Sequence, residues 1–419
     1  MKRFVPKICL AVFAAVAPLF AHAESLKPND FVAVIGDSIT EQKDYSVNIE
    51  AYLLMCQPAT GLKAMQFGWG GETAGGFKNR MENDALRFHP TVATTCFGMN
   101  DGGYSPMNPD KAKGYRDNQK AIVEGMKKAG IRFIVVGSPG CVDATTFHNN
   151  PKDAVMYNKT LAEERDLSKQ VAEEEGVAFA NVFDPMIDVM TQAKAKYGPQ
   201  YHVGGGDGVH PSRNGHLVMA YAFLKALGCD GNIGTITVDL GSGQSTATDG
   251  HKVLASSNGS VEIESTKYPF CFSGGKPEDP NSQRGVLEFL PFNQDLNRLT
   301  LMVKGASGKT KITWGTQSKE FDGEQLAKGI NLAAEFLDNP FVEPFTKVQQ
   351  AVQRQQNFET PMIKTWVHGL PQFKAEMPED SDCFDKIIAD MGKKDQKLIG
   401  ESIAAVIPVK HTIKIEAVK

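Results

Sequence analysis

Ser38 lies in a Gly-Asp-Ser-Ile-Thr segment directly after the apolar run Phe31–Ile35. In an open α/β sheet, ligands bind beyond the carboxyl ends of the strands, so Ser38 stands where a nucleophile is expected. The alternative interpretation is a serine that only caps a helix. For this motif alone, the cap is the stronger interpretation.

A base for such a serine occurs in the segment Asp-Gly-Val-His-Pro, which contains Asp207 and His210. A hydroxyl becomes a good nucleophile only when a neutral imidazole can accept its proton. A carboxylate three residues earlier can orient that imidazole if the loop curls. Taken alone, this spacing is more common in surface loops or in half of a metal site.

Two further segments could stabilise negative charge on an oxygen atom. Gly71 lies in Gly-Trp-Gly-Gly-Glu-Thr, where the absence of side chains lets a backbone N–H approach a ligand. Asn100 lies in Gly-Met-Asn-Asp, after a second apolar run, and its amide could donate to an oxyanion. Each segment could instead be an ordinary turn.

Together, the order and spacing of the four segments resemble those of the SGNH (GDSL) hydrolase family. The resemblance implies that Ser38 attacks an acyl carbonyl, that His210 acts as general base and acid, and that Asp207 orients His210. It also implies an oxyanion hole made of the backbone N–H groups of Ser38 and Gly71 and the side-chain amide of Asn100. The family fold is a flavodoxin-like three-layer α/β/α sandwich that requires no cofactor and no metal.

The resemblance covers about residues 30–228 and is weakest in the second segment. Family members often have Asn and Ser where this chain has Gln66 and Gly70, although the alignment still puts Gly71 on the oxyanion glycine.

Other polar and aromatic residues near these motifs carry weaker expectations. Trp69 and Tyr104 could line a sugar- or acyl-binding surface, and ordinary packing is an equal alternative. His202 and His216 are expected to be structural, because the Asp-x-x-His pair is already complete. Glu41 and Asp101 are expected to make supporting or turn hydrogen bonds.

The elements around the motifs alternate between strand and helix. Apolar runs predict strands, and periodic segments predict helices over Tyr115–Lys128 and Asp153–Glu175. The predicted strands are Phe31–Ile35, Thr91–Phe97, Arg132–Val136 and Val177–Val182. This alternation predicts a parallel sheet with helices on both faces.

We predict three parts of the chain, namely a signal peptide over 1–23, a catalytic domain over 24–230 and an accessory region over 231–419. Within the accessory region, β-branched alternation predicts a β-rich part over 231–320. Helical spacing returns over 321–405, and a final strand is predicted over 407–418. That strand could rejoin the β-rich part, which would make the helices an insertion.

The N-terminus has the features of an export signal. Three basic residues precede an apolar run too short to span a bilayer, and cleavage is expected after Ala23 in Ala-His-Ala. The alternative is a retained anchor. Cleavage would change the formal charge from −4 to about −7, which gives no basic patch for nucleic acid or an anionic membrane.

The six cysteines after the signal have wide spacings and no Cys-x-x-Cys pair, which indicates neither a disulfide scaffold nor zinc. Because of the export signal, we expect a periplasmic or secreted protein that is not inserted in a membrane after cleavage. The sequence leaves the oligomeric state open.

The sequence therefore predicts an exported serine esterase without cofactor or metal. Export disfavours coenzyme A thioesters and favours an O-acetylated carbohydrate. A lipase, lysophospholipase or general short-chain esterase is the alternative within the class; no amphipathic lid is evident near the motifs. A carbohydrate-binding or adhesion protein with a vestigial hydrolase domain is the alternative from another class. The presence of Ser38, Asn100 and His210 disfavours it.

Overall fold

A computed structural model describes residues 25–257 and 259–418. The predicted signal peptide lies outside these described residues.

The N-terminal half forms a five-stranded parallel sheet in the order β2-β1-β3-β4-β5. This is the order of a flavodoxin-like sheet, as predicted. The strands are β1 (Phe31–Gly36), β2 (Lys63–Gln66), β3 (Val92–Cys96), β4 (Phe133–Gly137) and β5 (Ala178–Ala180). The sequence predicted four of these strands and missed β2, which lies at one edge.

Seven helices connect and cover this sheet: α1 (Ser38–Glu41), α2 (Tyr45–Met55), α3 (Ala74–Asp84), α4 (Pro109–Lys128), α5 (Pro151–Glu175), α6 (Phe183–Tyr197) and α7 (Arg213–Ala226). Short polar side chains cap several of them. Asn108 and Asn150 each accept a backbone N–H at the start of α4 and α5, and a proline follows each cap.

Both faces of the sheet are buried, which gives the predicted three layers. Along β1, Val32 and Val34 pack into one hydrophobic cluster with α2 and α7. Ala33 and Ile35 pack into a second cluster with α3 and α4. Successive strand residues point to opposite faces, so an unbroken apolar run marks a strand that is covered on both sides.

The C-terminal half contains two further sheets, ordered β13-β10-β6-β7 and β12-β11-β14-β9-β8. The strands are β6 (Asn232–Asp239), β7 (Ser245–Ala247), β8 (His251–Ser257), β9 (Ser260–Ser265), β10 (Arg298–Lys304), β11 (Lys309–Trp314), β12 (Gln317–Asp322), β13 (Ile330–Asn331) and β14 (Val409–Ala417). The last strand, β14, lies between β11 and β9. The helices before it are therefore enclosed by the β-rich part.

The helices of this half are α8 (Phe292–Asp295), α9 (Gly323–Lys328), α10 (Leu332–Glu335), α11 (Val342–Pro361), α12 (His368–Glu376) and α13 (Ser381–Ala404). A π-helical turn, Met362–Val367, joins α11 to α12. Helix α11 packs on α2 and β2, so the C-terminal half covers the edge of the parallel sheet. Within the described part of the chain, no helix has the length and hydrophobicity needed to cross a bilayer.

Candidate active site

Ser38 is the first residue of α1 and directly follows Asp37 at the end of β1. The Asp37 carboxylate accepts the backbone N–H of Ile39 at 2.9 Å and so caps this helix. The cap role that the sequence offered for the serine is therefore filled by its neighbour. Burial raises the pKa of the Asp37 carboxyl to about 7, although the bond from Ile39 acts in the opposite direction.

A continuous chain of hydrogen bonds links Ser38, His210 and Asp207. The Ser38 Oγ atom lies 2.8 Å from His210 Nε2, and His210 Nδ1 lies 2.7 Å from Asp207 Oδ2. With Nδ1 protonated and bonded to the carboxylate, Nε2 is free to accept the serine proton. This geometry can therefore activate the hydroxyl.

The loop that carries Asp207 and His210 is tightly curled, as the three-residue spacing requires. Asp207 Oδ1 accepts the backbone N–H groups of Val209 and His210, each at 2.9 Å. Gly205 has a φ of +89°, and a Cβ atom there would lie 1.7 Å from the carbonyl oxygen of His210. A side chain at this position would therefore prevent the turn.

The charge of Asp207 is favoured by its surroundings. Partial burial acts to raise the pKa of this carboxyl, but the amides of His210 and Val209 and the His210 ring outweigh burial. The net effect is a pKa below the ordinary value, so the carboxylate remains ionised at neutral pH.

The backbone N–H groups of Ser38 and Gly71 are the candidate main-chain oxyanion donors. The N–H of Ser38 belongs to the first residue of α1 and has no acceptor within the helix. Gly71 has a φ of +74°, and a Cβ atom there would meet nothing within 4 Å, so this glycine borders open space. Gly68 holds the same loop against α1, because a Cβ atom at Gly68 would lie 2.3 Å from the backbone nitrogen of Glu41.

The orientation of the Asn100 amide is fixed at both ends. Its Nδ2 donates to the carbonyl oxygen of Glu72 at 2.9 Å, and its Oδ1 accepts the hydroxyl of Tyr104 at 3.1 Å. One Nδ2 hydrogen is thereby used on the glycine-rich loop, and the other is available for a ligand. Tyr104 thus contacts a candidate oxyanion donor, which the sequence did not predict.

The ring of Trp69 is packed among basic side chains. It lies 4.8 Å from the guanidinium carbon of Arg80, 4.9 Å from Lys364 Nζ and 4.9 Å from the His368 ring. These contacts correspond to the packing alternative offered for Trp69.

The remaining sequence candidates support the surrounding loops. His216 is buried, its Nε2 lies 3.0 Å from Gln42 Oε1, and burial lowers its pKa to about 4. The backbone oxygen of His202 accepts the Asn214 side chain at 2.9 Å. Asp101 accepts the backbone N–H of Ala74 at 3.0 Å, and burial raises its pKa to about 6.

Lys364 is the nearby residue that sequence reasoning missed. Its Nζ donates to Glu41 Oε1 at 2.8 Å, and Glu41 Oε2 accepts the backbone N–H of Gly70. Lys364 and Glu41 are 323 positions apart in the chain, so no local pattern could connect them.

The described residues contain no group of three or more His, Cys, Asp or Glu side chains placed to hold a metal ion. Their six cysteines are free thiols, of which five are buried and Cys383 is exposed. Cys96 of β3 is buried, and its Sγ lies 3.4 Å from the carbonyl oxygen of Ser138.

The parallel-sheet sandwich brings a serine and a histidine into contact beyond the carboxyl ends of its strands, an arrangement that can cleave an ester. Residues 34–218 match the model of the GDSL-like lipase/acylhydrolase family. The predicted resemblance to the SGNH (GDSL) hydrolase family is confirmed for this part of the chain. The chain is accordingly a carboxylic ester hydrolase.

Among proteins of known function, the chain is similar to an acetylxylan esterase of Geobacillus stearothermophilus. The two are 24% identical over 218 residues, which cover 46% of this chain and 92% of that protein. Among solved structures, the chain is similar to a gut microbial diltiazem-metabolizing enzyme, with 22% identity and a TM-score of 0.72. That match covers 94% of this chain and 99% of the other, so the two share a fold that includes the C-terminal half.

Proposed function

We propose that this chain is an exported serine esterase that removes acetyl groups from an O-acetylated carbohydrate. The hydrogen-bond chain from Ser38 through His210 to Asp207 is the observation that carries the proposal. The candidate oxyanion donors of Ser38, Gly71 and Asn100 add to it.

In the proposed reaction, Ser38 Oγ attacks the ester carbonyl while His210 Nε2 accepts the hydroxyl proton. The N–H groups of Ser38 and Gly71 and the Asn100 amide stabilise the tetrahedral oxyanion. His210 then donates its proton to the departing sugar oxygen, which leaves an acetylated Ser38. Water, deprotonated by His210, releases acetate and restores the serine.

The accessibility of the site supports a bulky alcohol and a small acyl group. The side chains of His210 and Asp207 are 32% and 56% exposed, and Gly71 borders open space. A polymer can approach such a surface with a pendant ester, whereas a long acyl chain gains most from an enclosed apolar pocket.

A cavity beside the start of α7, lined mostly by polar side chains, also favours a carbohydrate. It encloses about 280 Å³ and is lined by Arg213 and by the side-chain amides of Asn48, Gln283, Gln349 and Gln350, among others. Amide and guanidinium groups bind sugar hydroxyls by hydrogen bonds and offer little to an acyl chain. The name of the acetylxylan esterase relative agrees with this substrate class.

The test begins with the chain from Glu24 onward and p-nitrophenyl acetate. Ser38→Ala should abolish hydrolysis. Ser212→Ala is the matched control, since Ser212 lies near His210 in the chain. It should leave hydrolysis intact, because the Ser212 side chain makes no capping hydrogen bond to α7. Hydrolysis that survived in Ser38→Ala would refute the assignment of the nucleophile.

The substrate class is tested by the release of acetate from acetylated glycans, compared with the hydrolysis of p-nitrophenyl esters of long fatty acids. Faster hydrolysis of the fatty esters would instead support a lipase. Export is tested by sequencing the N-terminus of the protein recovered from outside the cytoplasm, which should begin at Glu24.

A further inference from the structure

The π-helical turn Met362–Val367 and the following His368 contact the glycine-rich loop of the candidate oxyanion hole. We call residues 362–368 the docking turn. Its Lys364 forms an ion pair with Glu41 at 2.8 Å, and the other carboxylate oxygen of Glu41 accepts the backbone N–H of Gly70. Gly70 directly precedes Gly71, so the ion pair between Lys364 and Glu41 restrains the backbone next to a proposed oxyanion donor.

A second contact from the same half of the chain reaches the beginning of this loop. Gln66 Nε2 donates to Thr360 Oγ1 at 2.5 Å, while Gln66 Oε1 accepts the backbone N–H of Gly68 at 2.9 Å. The loop is thus connected to the C-terminal half on both sides of Trp69. The ring of Trp69 itself lies 4.9 Å from Lys364 Nζ.

The docking turn is firmly held on the hydrolase domain. Met362, Ile363 and Val367 are buried in the hydrophobic cluster that also contains residues of α3 and α4. The carbonyl oxygen of Val367 accepts the Asn83 side chain at 2.8 Å. The ion-pairing side chain therefore extends from a fixed backbone.

Fixing this loop matters because Gly70 and Gly71 have little conformational preference of their own. An oxyanion donor is effective only when it is held close to its productive position, and a displacement of about 1 Å can cost about 100-fold in rate. The carboxylate of Glu41 restrains the N–H of Gly70, and Lys364 restrains the carboxylate. The side chains of this pair are only 28% and 25% exposed, so solvent screens them less than a surface pair.

We propose that Lys364 is a positioning residue that acts through Glu41 and Gly70 to aim the N–H of Gly71 at the oxyanion. The turnover rate of the hydrolase domain then depends on a side chain from the C-terminal half. This inference rests on the proposed function of Ser38 and Gly71.

The main test compares Lys364→Met with Lys364→Arg in the full chain, using p-nitrophenyl acetate. Lys364→Met should lower kcat about 10-fold with KM changed less than about 2-fold, because the loss falls on the transition state. Lys364→Arg keeps the charge and should restore kcat to within about 3-fold of the unmodified chain. Lys374→Met is the matched control, since Lys374 pairs with Asp385 inside the C-terminal helices, and it should leave kcat unchanged.

Glu41→Gln provides a second route to the same answer and serves also if Lys364→Met fails to fold. It should lower kcat by a similar factor, because the amide can still accept the N–H of Gly70 but no longer attracts Lys364. Adding Lys364→Met to Glu41→Gln should then change kcat by less than about 2-fold, as expected for residues that act as one unit. Independent losses that multiply would overturn the proposal.

A phosphonate probe separates failure of the inference from failure of the proposed function. Its P=O group occupies the oxyanion hole as it labels the serine, so the labelling rate should fall in Lys364→Met as kcat does. An unchanged rate and kcat in Lys364→Met, with Ser38 still labelled, would refute the role of Lys364 alone. Absence of both labelling and hydrolysis in the unmodified chain would refute the proposed function and, with it, this inference.

Discussion

Three carboxyl groups are buried together where the C-terminal helices meet the hydrolase domain. Glu50 of α2, Glu359 of α11 and Asp395 of α13 are 1%, 0% and 2% exposed. Burial raises the pKa of Glu50 to about 8 and that of Asp395 to about 6, and it raises the pKa of Glu359 well above the ordinary value. We therefore expect an unusual pH dependence of stability.

The immediate surroundings of Glu50 explain why burial prevails. Its two oxygens accept Gln355 Nε2 at 2.8 Å and Gln356 Nε2 at 2.7 Å, which are neutral donors. The same Gln355 nitrogen also lies 2.9 Å from Glu359 Oε1 and 3.1 Å from the carbonyl oxygen of Ala64. Two amide hydrogens thus serve three acceptors, so charge on both glutamates is poorly compensated.

The sign follows from the direction of the shift. The folded-state pKa of Glu50 lies above its ordinary value of 4.5, so the folded state binds the proton more tightly than the unfolded chain. The free energy of unfolding then falls as pH rises through this window, by about 1.4 kcal/mol per pH unit. Between about pH 5 and pH 7, the cluster that contains Glu50 should therefore lose about 3 kcal/mol of stability.

The perturbation is Glu50→Gln, which keeps the volume and removes the charge. Its amide can donate to Gln355 Oε1, a buried oxygen without a donor, once the Gln355 amide flips. Because this flip gives up other bonds, we expect the free energy of unfolding at pH 7 to rise by only about 2 kcal/mol. At pH 5, where Glu50 is already protonated, the variant and the unmodified chain should agree within about 1 kcal/mol.

The assay is urea unfolding of both proteins at pH 5 and pH 7, followed by fluorescence. Glu343→Gln is the matched control, because Glu343 lies on α11 but is exposed beside Lys347. It should keep the pH dependence of the unmodified chain. A Glu50→Gln variant that was less stable at pH 7, or that kept the full pH dependence, would refute the argument that Glu50 is buried without adequate compensation.

Two further predictions concern the candidate active site. Asn100→Ala should lower kcat about 100- to 1000-fold with little change in KM, measured by steady-state hydrolysis of p-nitrophenyl acetate, because one oxyanion donor is lost; an unchanged kcat would remove Asn100 from the site. Asp207→Asn should lower kcat about 10⁴-fold without loss of the fold, measured by kinetics and thermal unfolding, because the amide no longer holds the His210 tautomer; a loss below about 10-fold would show that another group orients the ring.

The parallel sheet and the four motifs could be predicted because their signals are local. Strands β1, β3 and β4 are buried on both faces and β5 is partly exposed, and each motif follows a strand or occupies a glycine-containing loop. Strand β2 escaped prediction because Lys63–Gln66 begins and ends with polar residues. Its Gln66 is fully buried only because α11 covers this edge of the sheet.

The supporting contacts of the site could not be predicted because their partners are distant in sequence. Tyr104 was a candidate for substrate contact, and its bond to Asn100 depends on a left-handed backbone, with a φ of 53°. Trp69 lies beside Lys364 and His368, which belong to helices almost 300 residues later. Composition and periodicity describe those helices but do not state which surface they cover.

The predicted boundary near residue 230 lies between the parallel sheet and the two C-terminal sheets. Buried hydrogen bonds nevertheless join the two halves of the chain. The family match ends at residue 218. The match to the acetylxylan esterase covers 92% of that protein but only 46% of this chain. The hydrolase domain of this chain has polar side chains at Glu50 and Gln66 where α11 buries them. A surface adapted in this way would leave an open sheet edge if the C-terminal half were absent. The C-terminal half therefore completes the hydrolase domain in addition to any role in binding substrate.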